Sequence, residues 1–200
     1  YVIKGSDGAT LTFDNTGVGN ALLTQTAASA GDSFDASLPI LLNSPLDIAN
    51  HSSNSLAVAS SVTNAAALAP LIVTNLGAGT GSVLISGALS DGSAGGSLSI
   101  VQNSATSKLV LSSANSTFTG QLQIAAGTVE VASLGANAAA DAIAFASGAT
   151  LRVVTGTGVG GVTIARNFKT IPVSGTINIY VDGDAGALDR THVLGNLDQG

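Results

Sequence analysis

Residues 182–192, DGDAGALDRTH, gather Asp182, Asp184, Asp189, Arg190 and His192. Closely spaced carboxylates beside glycine can hold calcium through oxygen ligands. Asp182, Asp184 and Asp189 are therefore the candidate metal ligands, and calcium the candidate ion. Their spacing matches neither the EF-hand loop nor the glycine-aspartate nonapeptide of calcium-binding β-rolls. The preferred reading is an acidic solvent loop, with no cofactor. His51, in NHSSNS, and His192 have no sequence partner that completes a triad or a metal pair. Each reads as an ordinary surface or loop residue.

Cleavage of a polysaccharide would need carboxylates clustered in one groove, or basic residues beside a metal. Glu130 is the only Glu in the chain, the Asp residues are dispersed, and sugar-stacking aromatics are scarce, with two Tyr and five Phe. No enzymatic activity is expected and no catalytic residue is assigned. Binding of a polysaccharide on a lateral face is a weaker alternative. Nucleic acid is not an expected partner. The six basic residues, Lys4, Lys108, Arg152, Arg166, Lys169 and Arg190, are scattered through a chain of net charge -6, whereas phosphate binding needs clustered cations.

The composition narrows the class further. Charged residues are 9% of the chain, against roughly 25% in ordinary domains, so solubility rests on Ser, Thr, Asn and Gly. Without cysteine there is neither a disulfide framework nor a thiolate metal site. No run approaches the roughly 18 apolar residues of a membrane helix, and the few aromatics could not form the girdles of a membrane barrel. The absence of Met and Trp fits secreted bacterial repeat proteins better than cytosolic enzymes. A chain that starts at Tyr1 is expected to be a mature product or an excised fragment.

What must position these residues is a set of short strands. Leu109-Val110-Leu111, Leu122-Gln123-Ile124 and Val129-Glu130-Val131 each put two apolar side chains on one face, the two-residue period of a strand. The same form recurs at Leu46-Asp47-Ile48, Leu56-Ala57-Val58, Leu71-Ile72-Val73, Val83-Leu84-Ile85, Leu98-Ser99-Ile100 and Leu151-Arg152-Val153. Between residues 33 and 43, Phe34, Leu38, Ile40 and Leu42 share one parity while Pro39 marks a corner between two strands. The Ala-rich segments 62–68 and 132–140 are the places for a helical turn or a surface excursion.

Steps of 20, 22 and 20 from Leu109 through Val129 and Leu151 to Ile171, with Leu122, Ile143 and Val162 interleaved, give a period near 20. Such a period indicates a solenoid. The expected fold is an all-β, right-handed parallel β-helix with short glycine-rich turns, one segment over residues 1–200 and part of a longer repeat protein. About ten turns are expected, with apolar pairs inside and Ser, Thr, Asn, Gln and the charges outside. A β-sandwich of short strands is the alternative. Asparagines such as Asn50, Asn64 and Asn75 fall at strand ends, where they can take left-handed conformations or stack as ladders. Asn50-His51-Ser52 and Asn115-Ser116-Thr117 fit the glycosylation sequon.

Residues 108–131, KLVLSSANSTFTGQLQIAAGTVEV, resemble the autotransporter-associated β-strand repeat. The matching positions are Leu109, Leu111, Ser112, Ala114, Asn115, Thr119, Gly120, Ile124, Gly127, Thr128 and Val131. Ser113 stands where the family has Gly, and Ser116-Thr117-Phe118 where it has Thr-Tyr. The resemblance implies a parallel β-helix shaft displayed at a bacterial surface or secreted, and implies no activity. It makes the expected role that of an adhesin-like stalk, or of a subunit stacking end to end into an extracellular fibre. The expected partners are neighbouring repeats, copies of the chain, or host proteins and glycans.

Overall fold

The alternating apolar residues produce strands and nothing else. In the computed structural model every regular element among the described residues is a β-strand, and every pairing between strands is parallel. The described residues are all except 17–18, 94, 133–142, 155–162, 165, 172–174, 183–192, 195–196 and 199–200.

Sheet A stacks β1 (Val2–Ile3), β4 (Asp32–Phe34), β7 (Leu56–Val58), β10 (Val83–Ile85), β13 (Leu109–Leu111), β15 (Thr128–Val131), β17 (Thr150–Val154) and β20 (Asn178–Asp182). Sheet C stacks another eight strands: β3 (Ala21–Gln25), β6 (Leu46–Asn50), β9 (Leu71–Asn75), β12 (Leu98–Gln102), β14 (Leu122–Ile124), β16 (Ile143–Phe145), β19 (Phe168–Thr170) and β22 (Leu197–Asp198). A shorter sheet B, β2 (Leu11–Phe13), β5 (Ile40–Leu42), β8 (Val62–Asn64) and β11 (Leu89–Ser90), forms a third wall over the first four layers. β18 (Thr163–Ile164) and β21 (Val193–Leu194) pair separately. The chain is therefore a parallel β-solenoid, winding from sheet to sheet while the backbone bonds run from layer to layer.

The inside is filled as the alternation requires. β5, β7, β10, β13 and β14 all read buried, half-buried, buried. One continuous core runs from Phe34 to Phe168. Near its far end the Phe145 and Phe168 rings stack with centroids 6.0 Å apart. Phe34, Leu38, Ile40 and Leu42 are all buried, and the corner at Pro39 carries the chain from sheet A to sheet B.

Several expectations are corrected. The two long sheets hold eight strands each, fewer than the ten expected turns, because most layers exceed 20 residues. The partner of Phe34 is Val58, then Ile85 and Leu111, in steps of 24, 27 and 26. The expected short steps hold over part of the stack, as 20 and 22 from Leu111 through Val131 to Val153 on sheet A and as 21 from Leu122 to Ile143 on sheet C. Leu151 pairs with Ile179 rather than Ile171, and Ile143 with Phe168 rather than Val162. The short layers are those with no described strand on the sheet B side. In the layer of β13 that side is held by single contacts: Thr117 N–H donates to Leu89 C=O (2.8 Å), and the Ser116 hydroxyl accepts from Leu89 N–H (3.2 Å).

No helical turn forms over residues 62–68, where the chain enters β8 instead; the other Ala-rich stretch, 132–140, lies outside the described residues apart from Ala132. Polar residues are not confined to the outside. Gln25, Asn50, Asn64, Asn75, Gln102, several serines and Arg166 are buried, because each finds backbone partners between layers. Among described residues only Leu68 is a non-glycine with positive φ. Asn50, Asn64 and Asn75 are thus not left-handed corners: each donates to a backbone carbonyl of the next layer, and of the three only Asn75 also bonds a side chain, that of Gln102. Asn50 is fully buried and so is closed to glycosylation, while Asn115 is exposed in a turn.

Candidate functional site

The acidic candidates do not assemble into a described site. Asp182 is the last residue of β20, whereas Asp184, Asp189, Arg190 and His192 lie outside the described residues. Among the described residues no three His, Asp or Glu side chains gather as a metal would need. His51 is exposed, and its backbone N–H donates to Gln25 C=O (2.9 Å).

The one described ionic cluster lies on the outer wall of sheet A. Strand alternation turns Val110, Glu130, Arg152 and Tyr180 outward, and the register places them side by side on successive strands. Lys108 Nζ and Arg152 Nη1 both reach Glu130 Oε2, at 2.7 and 3.2 Å. Glu130, which stood alone in the sequence, is therefore the centre of a three-charge row with net charge +1. The three side chains are half-buried, and ion pairs near a surface contribute only about 0–1 kcal/mol each, so the row is not what holds the layers together.

Buried polar side chains do that, and their roles were not visible in the sequence. At the corner from sheet C to sheet A, Asn50 Oδ1 accepts from Ser52 N–H (2.8 Å), and its amide donates to Asn54 C=O and, in the next layer, to Gly81 C=O (both 3.0 Å). Asn64 repeats the device at the corner leaving sheet B: it accepts from Ala66 N–H and donates to Ala69 C=O and Ser97 C=O, all at 2.9 Å. Asn75 Nδ2 donates to Gln102 Oε1 (2.8 Å), and Gln102 donates in turn to Ser104 and Ser107 C=O. Ser104 Oγ donates to Gly77 C=O and Ser107 Oγ to Gly81 C=O. Each bond joins a corner to itself or to the layer beside it.

Asp91 and Arg166 extend this bracing. Asp91 Oδ1 accepts from Leu98 N–H (2.6 Å), and Oδ2 from the hydroxyl of Thr119 one layer on (2.6 Å). Arg166 lies with its guanidinium carbon 4.1 Å from the centre of the Phe118 ring and donates to Phe118 and Gly120 C=O. A cation can be buried here because carbonyl oxygens and an aromatic face replace part of its hydration. The only sequence signal for either residue was a charge among small residues, which reads as solvent-facing.

Among the described residues two carboxylates, Asp32 and Asp35, have lowered pKa values. The Ser29 hydroxyl bonded to Asp32, with the N-terminal ammonium beside it, outweighs partial burial. The backbone N–H and then the hydroxyl of Ser37 lower Asp35, with a smaller pull from Lys4. A carboxylate lowered in the folded state stabilises it above the unfolded pKa, and that contribution is lost as pH falls through the folded value. The share of stability that these two carboxylates supply should therefore be constant above about pH 5 and be lost toward pH 2 in urea unfolding. Asp35→Asn should decline less over that interval; an equal or steeper decline would contradict the assignment.

No family model matches the chain, and no curated protein or solved structure matches it either. Among the described residues no helix is long and apolar enough to cross a membrane.

Proposed function

We propose that the chain is a non-enzymatic structural shaft of a bacterial cell-surface or secreted protein. The observation that carries this reading is the unbroken parallel ladder of sheet A, from β1 through to β20, with a filled core behind it. In such a stack each layer contacts mainly its neighbours, and load along the axis is shared by backbone bonds on every wall. The resemblance of residues 108–131 to the autotransporter-associated repeat supports a place outside the cell. In the fold those residues make slightly more than one winding, two strands of sheet A with β14 between them. Gly127, a matching position, has φ 66° at the corner into β15. The dispersal of the described carboxylates supports a role without catalysis.

The test is extension of single molecules held at the two ends. A shaft should resist and then lengthen in steps of one layer, about 70–100 Å of chain each. Extension without resistance, like that of an unstructured chain, would contradict the reading.

A second reading has its own observation. In the layer of β1, β2 and β3 the inward-facing Leu11, Phe13 and Leu23 are only half-buried, and a cavity of about 410 Å³ opens beside Val2, Ile3 and Leu23. A further layer would cover this surface, supplied either by more of a longer repeat chain or by end-to-end stacking of copies into an extracellular fibre. Electron microscopy of the native material separates the two: filaments support stacking, and isolated short rods reject it.

A further inference from the structure

The outer walls of the solenoid are not equivalent. The outward row of sheet B, Thr12, Leu41, Thr63 and Ser90, carries no charge. On sheet C the outward row through Thr74, Val101, Gln123, Ala144 and Lys169 has no aromatic. On sheet A, Glu130, Arg152 and Tyr180 follow one another in register, with Lys108 joined to Glu130. Tyr180 is 54% exposed, whereas Phe34, Phe118, Phe145 and Phe168 are all buried in the core. Among the described residues this wall alone sets an acceptor, a cation and an exposed ring on successive strands, Glu130, Arg152 and Tyr180, with a second cation, Lys108, reaching Glu130 from just before β13.

We propose that this line binds a linear acidic polysaccharide laid along the solenoid axis. Adjacent parallel strands are about 4.8 Å apart, close to the length of one pyranose residue, so successive sugars meet successive strands. The Tyr180 ring offers a face for the apolar side of a sugar. Arg152 and Lys108 supply the positive charge that a uronate carboxylate needs, and charge-assisted bonds of that type are the stronger ones. Both cations bond Oε2 of Glu130, and Oε1 then accepts from sugar hydroxyls. The net charge of the row is +1 on a chain of net charge -6, so attraction for a polyanion is local to this wall and opposed elsewhere. The site does not depend on the shaft reading, since a wall can bind a glycan whether or not it bears load.

The experiment is binding of the full chain to oligogalacturonate in low salt, with dextran as the neutral comparison. Oligogalacturonate should bind and dextran should not, and binding should weaken with added salt as screening shortens the reach of the cations. Tyr180→Ala and Arg152→Gln should each weaken binding about tenfold, equivalent to about 1.4 kcal/mol. The unfolding midpoint of Tyr180→Ala should stay at that of the parent, and Lys169→Ala on sheet C should bind normally. The proposal is overturned if oligogalacturonate is not bound, if dextran binds equally well, or if Tyr180→Ala binds like the parent.

Discussion

Gly87→Ala should cost about 3 kcal/mol, as large as an overpacked core site, although it adds one methyl group at a corner of the chain. A Cβ at this position would lie 1.7 Å from the carbonyl oxygen of Ser60 and 2.2 Å from its carbon. Those atoms are backbone and have little room to move. Ser86 N–H donates to Val58 C=O (3.0 Å) on one side, and Val62 N–H to Ala88 C=O (2.8 Å) on the other. To admit the methyl the two layers must part, and the ladder bonds beside it stretch with them. Gly148→Ala isolates the other way a glycine can matter. Gly148 has φ 77° with nothing within 4 Å of the Cβ position, so the substitution carries only backbone strain, about 1 kcal/mol. Urea unfolding of both variants should rank Gly87→Ala as clearly the worse; equal midpoints would mean that the layers are not packed backbone to backbone.

Asn50→Ala is the second large effect, also about 3 kcal/mol. Truncation leaves Ser52 N–H without a partner and removes one of two donors from Asn54 C=O, which keeps Gln25 Nε2, and from Gly81 C=O, which keeps Ser107 Oγ; a buried polar group without a partner costs about 1–3 kcal/mol. Asn50→Asp tests the orientation of the amide. Its carboxylate keeps the bond from Ser52 N–H but directs negative charge at two carbonyl oxygens. At neutral pH it should be at least as destabilising as Asn50→Ala. Burial beside acceptors raises the pKa of the new carboxyl group in the folded state, so lowering the pH toward 5 should restore part of the loss. Chemical denaturation at two pH values measures both effects. An unfolding free energy within about 0.5 kcal/mol of the parent, the scale of an inert surface change, would show that Asn50 does not brace the corner.

These two sites also show what could be read from the sequence. Strands were legible because Leu109-Val110-Leu111 and its relatives carry a two-residue period that physics ties to one buried face. The solenoid followed from their repetition. The layer length was not legible, because it depends on corners whose size varies: a step of 20 from Leu111 to Val131, but 28 from Val153 to Val181. Corners of unequal length are tolerated because side chains such as Asn50 and Asn64 close them by satisfying backbone groups wherever these fall. NHSSNS looked like a solvent loop for the same reason, yet Asn50 and Ser52 are fully buried. Arg166 was assigned outside because a charge normally is; carbonyls and a Phe118 face hundreds of atoms of sequence context away make the exception. Of the candidate sites, Glu130 was conspicuous as the lone Glu, but its two cations emerged as partners only once the register was known. Gly87 was one glycine among 25, and nothing local distinguished it from one that merely turns.

The absence of cysteine allows the register itself to be tested directly. Leu84 and Val110 are outward neighbours on β10 and β13, and adjacent parallel strands place their Cα atoms about 4.8 Å apart, inside the range a disulfide spans. Val101 is nearer to Leu84 in sequence but lies on sheet C. Mild oxidation of a Leu84→Cys, Val110→Cys chain should close the disulfide within one molecule, while a Leu84→Cys, Val101→Cys chain should stay reduced. Closure of the second pair and not the first would contradict the stacked parallel solenoid.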